Sequence, residues 1–334
     1  MTNLLFAFLA CESEDVAVDD SGHDTAPAFV ETLDPDQLHI LAASSPALGD
    51  PGHPLAELSL DLEVRWSVDF DNGDGTAGAV RFDNGETVYV RTALPPNFFS
   101  SLERVAADGT LLWTQHAFFS DNLSFAHGLV RTPDGDYLIA DTILSRVLSV
   151  SEEGVVQWEL SFRDEGGARL PNGIDLQTDS SGVTRIVVSQ LVPGSAARSD
   201  QIEVYRLGGR TELPTLEWSF VGGSGPTERL WPHGPRFMED GTVMVSYAAR
   251  GQIGHLVEGV EEWRVPEVPG VLAFPRDTVV LPDGSWLVAD AAEEVLRVHD
   301  PLGRFEIVGA AYVPGVFGLT SVTCGEGGGL PCLD

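Results

Sequence analysis

Residues 127–158 read HGLVRT-PDGD-YLIAD-TILS-RVLSV-SEEG-VVQW. Four segments rich in β-branched, aromatic and aliphatic residues alternate with clusters of Asp, Glu, Gly, Ser and Pro, so the stretch reads as a four-stranded meander. Its closing tryptophan recurs in one context, as EVRW at Trp66, TLLW at Trp113, VVQW at Trp158, TLEW at Trp218 and VEEW at Trp263, with gaps of 47, 45, 60 and 45 residues. A period near 45 residues is that of a propeller blade or of some helical solenoids, and the strand character of each unit selects the propeller.

The same grammar returns as GAVRF-DNGE-TVYV from Gly78, PRFM-EDGT-VMVSY after His233 and DTVV-LPDGS-WLVAD after Arg276, while 172–218 fits with an insertion, LVPGSAARSDQIEV. The first hairpin of each unit calls for a residue with positive φ, which Asn84-Gly85, Asp134-Gly135, Asp240-Gly241 and Asp283-Gly284 supply. These are five units. A sixth is assembled from both ends: LHILAASS, LAELSL and LEVRWSV before residue 68 supply three outer strands, and GVFGLTSV from Gly315 supplies the inner one. The predicted fold is therefore all-β, a six-bladed propeller of four-stranded antiparallel blades, closed by N-terminal strands pairing with a C-terminal inner strand, which removes the open seam. The five tryptophans, alike in every unit, read as blade-to-blade packing residues.

Around this domain, placed at 37–323, the ends differ in character. Residues 1–11, MTNLLFAFLAC, carry a short apolar run ending in Phe8-Leu9-Ala10-Cys11 that resembles the lipobox of bacterial lipoproteins. The resemblance implies cleavage before Cys11, lipidation of its thiol, and export to the periplasmic face or the outer membrane. Residues 12–36 hold nine acidic side chains and no basic one, the composition of a solvated tether. The tail, 324–334, brackets GEGGGLP between Cys324 and Cys332, a pair that an oxidising compartment would join in a disulfide. No run approaches the roughly 20 apolar residues of a membrane helix, so any membrane connection is the lipid.

Across the chain 51 acidic residues face 19 basic ones, giving a formal net charge of −32. Nucleic acid is excluded as a partner, because phosphate binding needs a basic face. No nucleotide loop, zinc signature or GxSxG elbow is present. The acidic DFDNGDGT at 69–76 departs from EF-hand spacing, so no metal and no cofactor is expected, with calcium kept only as an alternative.

Candidate chemistry lies where each inner strand starts, since those starts converge on the propeller axis. Aligned on their hairpins, the units place Gly78, His127, Asn172, His233 and Arg276 there, in TAGAV, FAHGL, LPNGI, WPHGP and FPRDT. The other histidines, His23, His39, His53, His116, His255 and His299, fall at unrelated places. Through AHGLVRTPDGDYLIAD, PHGPRFMEDGT and PRDTVVLPDGSWLVAD the chain resembles arylsulfotransferase-like bacterial propellers and, more loosely, NHL-repeat propellers, over about residues 60–310. That resemblance implies sulfate transfer from an aryl sulfate to a phenol through a central histidine, His127 or His233, with Arg276 and Asn172 donating to the oxyanion. The partner would be a small aromatic or sulfated molecule.

Two other readings stand beside it. One is a non-catalytic surface propeller holding a protein or glycan on its top face. The other is a calcium-dependent lactonase-type propeller, to which Asn172, Asp141 and Asp290 would contribute ligands. Asp141 and Asp290, each ending a second strand, are also where Arg276 would find a salt bridge if its role were structural.

Overall fold

A computed structural model describes residues 38–44, 55–59, 63–68, 70, 74–82, 84–93, 99–115, 117–118, 121–165, 167–192, 199–222, 230–281, 283–290, 294–312 and 316–323. They form six antiparallel blades around a common axis. Blade 1 pairs the C-terminal strand Val316–Thr323, innermost, with Leu38–Ser44, Leu55–Leu58 and Val64–Val68. Closure thus follows the sequence expectation, and seven backbone pairs run from Leu38↔Thr323 to Ser44↔Val316. Blades 2 to 6 open with inner strands Gly75–Arg81, Ala126–Arg131, Leu170–Thr178, Pro232–Phe237 and Asp277–Val280, and each continues outward in chain order.

Middle strands such as Tyr137–Asp141 and Arg146–Val150 are buried at every position, whereas outer strands such as Val156–Ser161 are buried on one side at most. A blade is covered by a neighbour on each face, so its middle strands need apolar residues in unbroken runs. The apolar core is accordingly divided into six clusters, one per interface. Trp66, Trp113, Trp158, Trp218 and Trp263 each belong to a different one, which fits their reading as packing residues. The sixth, between blades 6 and 1, has no tryptophan and is built from small and aliphatic residues such as Ala42, Ala56, Leu287 and Leu319. Each fully buried aliphatic side chain contributes about 1.5–3 kcal/mol, so the ring is held chiefly by these interfaces.

The predicted hairpins have the required backbone. Gly85, Gly135, Gly241 and Gly284 sit at φ 80°, 90°, 84° and 78°. Among the described residues no helix is long and apolar enough to cross a membrane. Cys11, Cys324, Cys332, His23, His53, His116 and residues 193–198 of the long insertion lie outside the described residues, as do the side chain of His39 and residues 69 and 71–73 of the acidic 69–76 turn.

Candidate functional site

The inner strands do not run straight into the axis. Pairing with the second strand slips between Ala126 and Gly128 and between Pro171 and Gly173, so that His127 and Asn172 are bulged residues. A bulge re-aims its extra residue, and here it turns the side chain toward the channel. Blade 2 slips likewise between Thr76 and Ala79. Its register aligns Ala77, not Gly78, with His127, because Thr76 opposes Arg91 as Ala126 opposes Asp141. The sequence held the signal: His127, His233 and Arg276 each lie eight residues before their hairpin glycine, and eight before Gly85 is Ala77.

Four ring positions carry a connected polar chain. His127 Nδ1 donates to Asn172 Oδ1 at 2.5 Å. Asn172 Nδ2 donates to the imidazole of His233, 3.0 Å from Nε2 and also close to Nδ1. Arg276 Nη1 approaches the same ring, 3.2 Å from Nε2 and 3.4 Å from Nδ1. Side chains from four consecutive blades are thereby joined in one line. All four are buried: His127 is 6 % exposed, Asn172 1 %, His233 0 % and Arg276 2 %.

Burial also sets their charge. It holds His127 down to about 3, against a smaller opposing effect of the Asn172 hydrogen bond, and the Arg276 charge lowers it further. His233 is pushed well below the ordinary histidine range by burial, then by Arg276 and His127. Both rings are therefore neutral at physiological pH. Burial lowers Arg276 to about 9, which leaves it a cation. With Asn172 Oδ1 fixing a proton on His127 Nδ1, the lone pair of that ring is on Nε2.

Beneath the ring lies a narrow axial cavity of about 40 Å³, bordered by His127, Asn172 and Arg276 above and by Arg236, Asp277 and Leu319 below. Gly78, Gly128, Gly173, Gly234 and Gly318 form its waist. They let the inner strands approach: a Cβ at Gly128 would lie 2.9 Å from Ile174 Cγ2, and one at Gly173 2.6 Å from Pro235 Cδ. Blade 6 has Asp277 at the corresponding place. Its carboxylate accepts Arg236 Nε at 3.0 Å, Leu319 N at 2.9 Å and Thr278 N at 2.8 Å, stitching blades 5, 6 and 1 together. Asp175 lies 3.6 Å from Arg236 Nη1.

Asp141 and Asp290 are not at the axis. Asp141 accepts Ser124 N at 2.8 Å and pairs with Arg146 Nε at 2.8 Å. Asp290 accepts Ala273 N at 2.9 Å and Phe274 N at 2.7 Å. Both hold the backbone that leads into an inner strand. Asp200, which the sequence reading passed over, binds Val192 N, Leu230 N and Trp231 N in the same manner. Arg276 therefore does not meet Asp141 or Asp290; its guanidinium carbon lies 4.3 Å above the ring of Phe274. His255 stacks at 4.6 Å on Trp263, its partner on the next strand of blade 5, and His299 is exposed at the periphery.

A calcium site built on Asn172, Asp141 and Asp290 does not fit this arrangement. The two carboxylates are directed at backbone amides, and the remaining neighbour of Asn172 along the axis is a guanidinium-bearing cluster that repels a cation. Among the described residues no three His, Cys, Asp or Glu side chains group closely enough to hold a metal.

The sequence reading also missed an aromatic rim. Phe125, Trp231 and Phe274 stand two residues before His127, His233 and Arg276. Phe125 meets His127 edge-on at 4.4 Å, and Phe274 lies 5.9 Å from Trp231 and 6.0 Å from His233. Phe125 and Trp231 adopt φ of 53° and 48°. Bulky residues occupy that left-handed region at a cost of about 1–2 kcal/mol each, and such strain gathers at functional sites. The F-x-H, W-x-H and F-x-R spacing was legible, but only the shared ring register gives it meaning.

No protein-family model and no curated relative matches the sequence. Solved structures do. The periplasmic gluconolactonase of Pseudomonas aeruginosa superposes with a TM-score of 0.57 at 12 % identity, covering 86 % of this chain and 100 % of that one. A Bacteroides caccae protein of unknown function gives 0.59 at 17 % identity, over 85 % and 98 %. A catalytically inactive virginiamycin B lyase from Staphylococcus aureus, with quinupristin, gives 0.51 at 12 % identity, over 85 % and 87 %. These likenesses, at such low identity, establish one thing about the chain: it is a β-propeller.

Proposed function

We propose that the axial ring is a hydrolytic site that opens a cyclic ester, the lactonase-type reading without its calcium. The observation that carries it is the hydrogen-bonded line His127–Asn172–His233–Arg276, which presents a neutral, tautomer-fixed imidazole and a buried guanidinium to one cavity. In this reading Arg276 donates to the carbonyl oxygen, where negative charge develops as water adds. His127 Nε2 takes the proton from that water and returns it to the alkoxide as the ring C–O bond breaks. Asn172 holds the tautomer, much as a carboxylate does in other hydrolases. Although burial makes His127 a weak base in the empty site, an oxyanion forming nearby strengthens it as the proton arrives. The aromatic rim favours a substrate with a planar face.

The likeness to a periplasmic gluconolactonase is in keeping with this proposal and with export. Lipid anchoring at Cys11 and a Cys324–Cys332 disulfide remain proposals, checked by acyl labelling of a Cys11→Ser variant and by thiol counting. Sulfate transfer would use the same His127, but neither similar structure of named activity, the gluconolactonase or the lyase, is a sulfotransferase.

The test is proton release in a pH-stat with glucono-δ-lactone and with dihydrocoumarin, an aromatic lactone. Arg276→Met and His127→Gln are expected to lower kcat/KM at least 100-fold, about 3 kcal/mol of transition-state stabilisation. Absence of turnover in a folded wild-type protein overturns the reading. Turnover of an aryl sulfate instead would restore sulfate transfer, and capture of a ligand without turnover would leave a binding propeller.

A further inference from the structure

We infer that Phe125, Trp231 and Phe274 form an aryl subsite at the mouth of the axial ring, which admits a cyclic ester carrying an aromatic ring in preference to a sugar lactone. The inference rests on the ring being the reacting site, as proposed above, but its binding test does not depend on turnover.

Three observations converge on it. The first is placement. Each aromatic stands two residues before a ring residue on the same strand entry, so one stretch of backbone fixes both. His127, Asn172, His233 and Arg276 are at most 6 % exposed, whereas the three aromatics are half-buried, which makes them the layer a ligand meets first. Consecutive inner strands are neighbours around the axis, so blade 3 lies across it from blade 6. Phe125 and Phe274 therefore stand on opposite sides of the mouth, with Trp231 beside Phe274. The cavity under the ring, about 40 Å³, has room for water but not for a cyclic ester. The body of a substrate accordingly lies at the level of the rim, and its carbonyl alone reaches down to the ring.

The second is geometry. The ring centroids of Trp231 and Phe274 are 5.9 Å apart and their planes are inclined at 76°. Two planes at that angle make a corner, in which a flat ring stacks on one and meets the other edge-on. A puckered saturated ring fits neither arrangement as closely.

The third is the way the entries are held. Phe125 and Trp231 take left-handed φ of 53° and 48°, which bulky side chains avoid. Trp231 is gripped on both sides, its N donating to Asp200 at 2.9 Å and its carbonyl accepting Ala248 N at 3.2 Å. Asp290 accepts Phe274 N at 2.7 Å, and Asp141 accepts Ser124 N, next to Phe125, at 2.8 Å. Strained conformations persist only where their surroundings over-determine them. A rim fixed in this way loses little freedom when a ligand arrives. The same bonds disfavour a sugar, since both oxygens of Asp141, Asp200 and Asp290 accept a backbone amide or the Arg146 guanidinium. These carboxylates are committed to the fold and not turned toward hydroxyl groups.

The test uses lactams, which resist hydrolysis, titrated calorimetrically into the full chain: δ-valerolactam, its benzo-fused form and its cyclohexane-fused form. The benzo-fused lactam is expected to bind about tenfold tighter than δ-valerolactam and about threefold tighter than the cyclohexane-fused one. Trp231→Leu and Phe274→Leu are expected to bring the two fused lactams to equal affinity, and Trp231→Phe to keep the aromatic preference. A merely structural role would weaken all three lactams together and leave their ratios as in the wild type, and that result overturns the inference. Equal affinities of the two fused lactams for the wild type overturn it, as does the absence of any lactam binding. Turnover of glucono-δ-lactone with no aromatic preference among the lactams sinks this inference alone. Aromatic preference without turnover of any lactone sinks the hydrolytic reading alone and leaves the aryl subsite.

Discussion

Replacing Gly173 by alanine puts a methyl group where the inner strands of blades 4 and 5 touch. Its Cβ would lie 2.6 Å from Pro235 Cδ, 3.0 Å from Gly234 N and 3.1 Å from Ser189 Oγ. Two of these atoms belong to a proline ring and a backbone, which cannot swing aside, so blade 5 must shift. Overpacking of this kind costs about 3 kcal/mol, partly offset by about 0.5–1 kcal/mol from the stiffer unfolded chain. The net loss is about 2 kcal/mol. Gly309, on the outer strand of blade 6, is the control: its nearest neighbour would be Arg297 Cβ at 4.0 Å, and alanine there should stabilise by about 0.5–1 kcal/mol. Thermal unfolding followed by circular dichroism should show Gly173→Ala melting about 4–6 °C below wild type and Gly309→Ala at or slightly above it. Because Gly173 follows Asn172, lactone turnover should fall in the first variant and not in the second. Equal melting of the two variants would refute the claim that the glycine waist is closed to side chains.

Acid should unfold the protein partly through its axis. His127 has a folded value of about 3 against an unfolded one near 6.5, so its contribution is complete above pH 6.5 and is lost as pH falls toward 3. At full effect that is roughly 5 kcal/mol, with His233 acting in the same direction. Urea unfolding of His127→Gln/His233→Gln should therefore show a flatter stability profile than wild type between pH 6.5 and 5. Asp200→Ala removes the acceptor of three backbone amides and should cost about 3 kcal/mol in a urea titration. Arg81→Met takes the guanidinium away from the buried Glu57 carboxylate, 2.8 Å from it, and should cost about 3–5 kcal/mol. Adding Glu57→Leu to it should recover most of that loss, since the buried carboxylate is then removed as well.

The fold was legible because a propeller writes each of its rules locally. A hairpin needs its glycine, a buried middle strand needs an unbroken apolar run, and five of the six interfaces take a tryptophan from an outer strand. Gly135, YLIAD and Trp158 state all three within one unit, and repetition of that unit made the reading robust. Closure by Leu38–Ser44 on Val316–Thr323 was legible for the same reason, since the missing strands were countable. His127, Asn172, His233 and Arg276 could be singled out as polar residues at equivalent starts.

What those side chains touch was not written in the chain. The one-residue displacement from Gly78 to Ala77 depends on a bulge, and a bulge is a property of paired strands. Whether Asp141 and Asp290 face the axis or a loop amide depends on the path of residues 124 and 273–274, and Phe274 meets Trp231 and His233 only because the entries of two blades come together. Above all, the histidines are neutral because neighbouring blades remove their water, and burial belongs to the assembled ring. Sequence determined the blades, whose determinants lie a few residues apart. Tertiary structure decided the site, whose partners are 43 to 61 residues apart and acquire their chemistry only when six blades close around one axis.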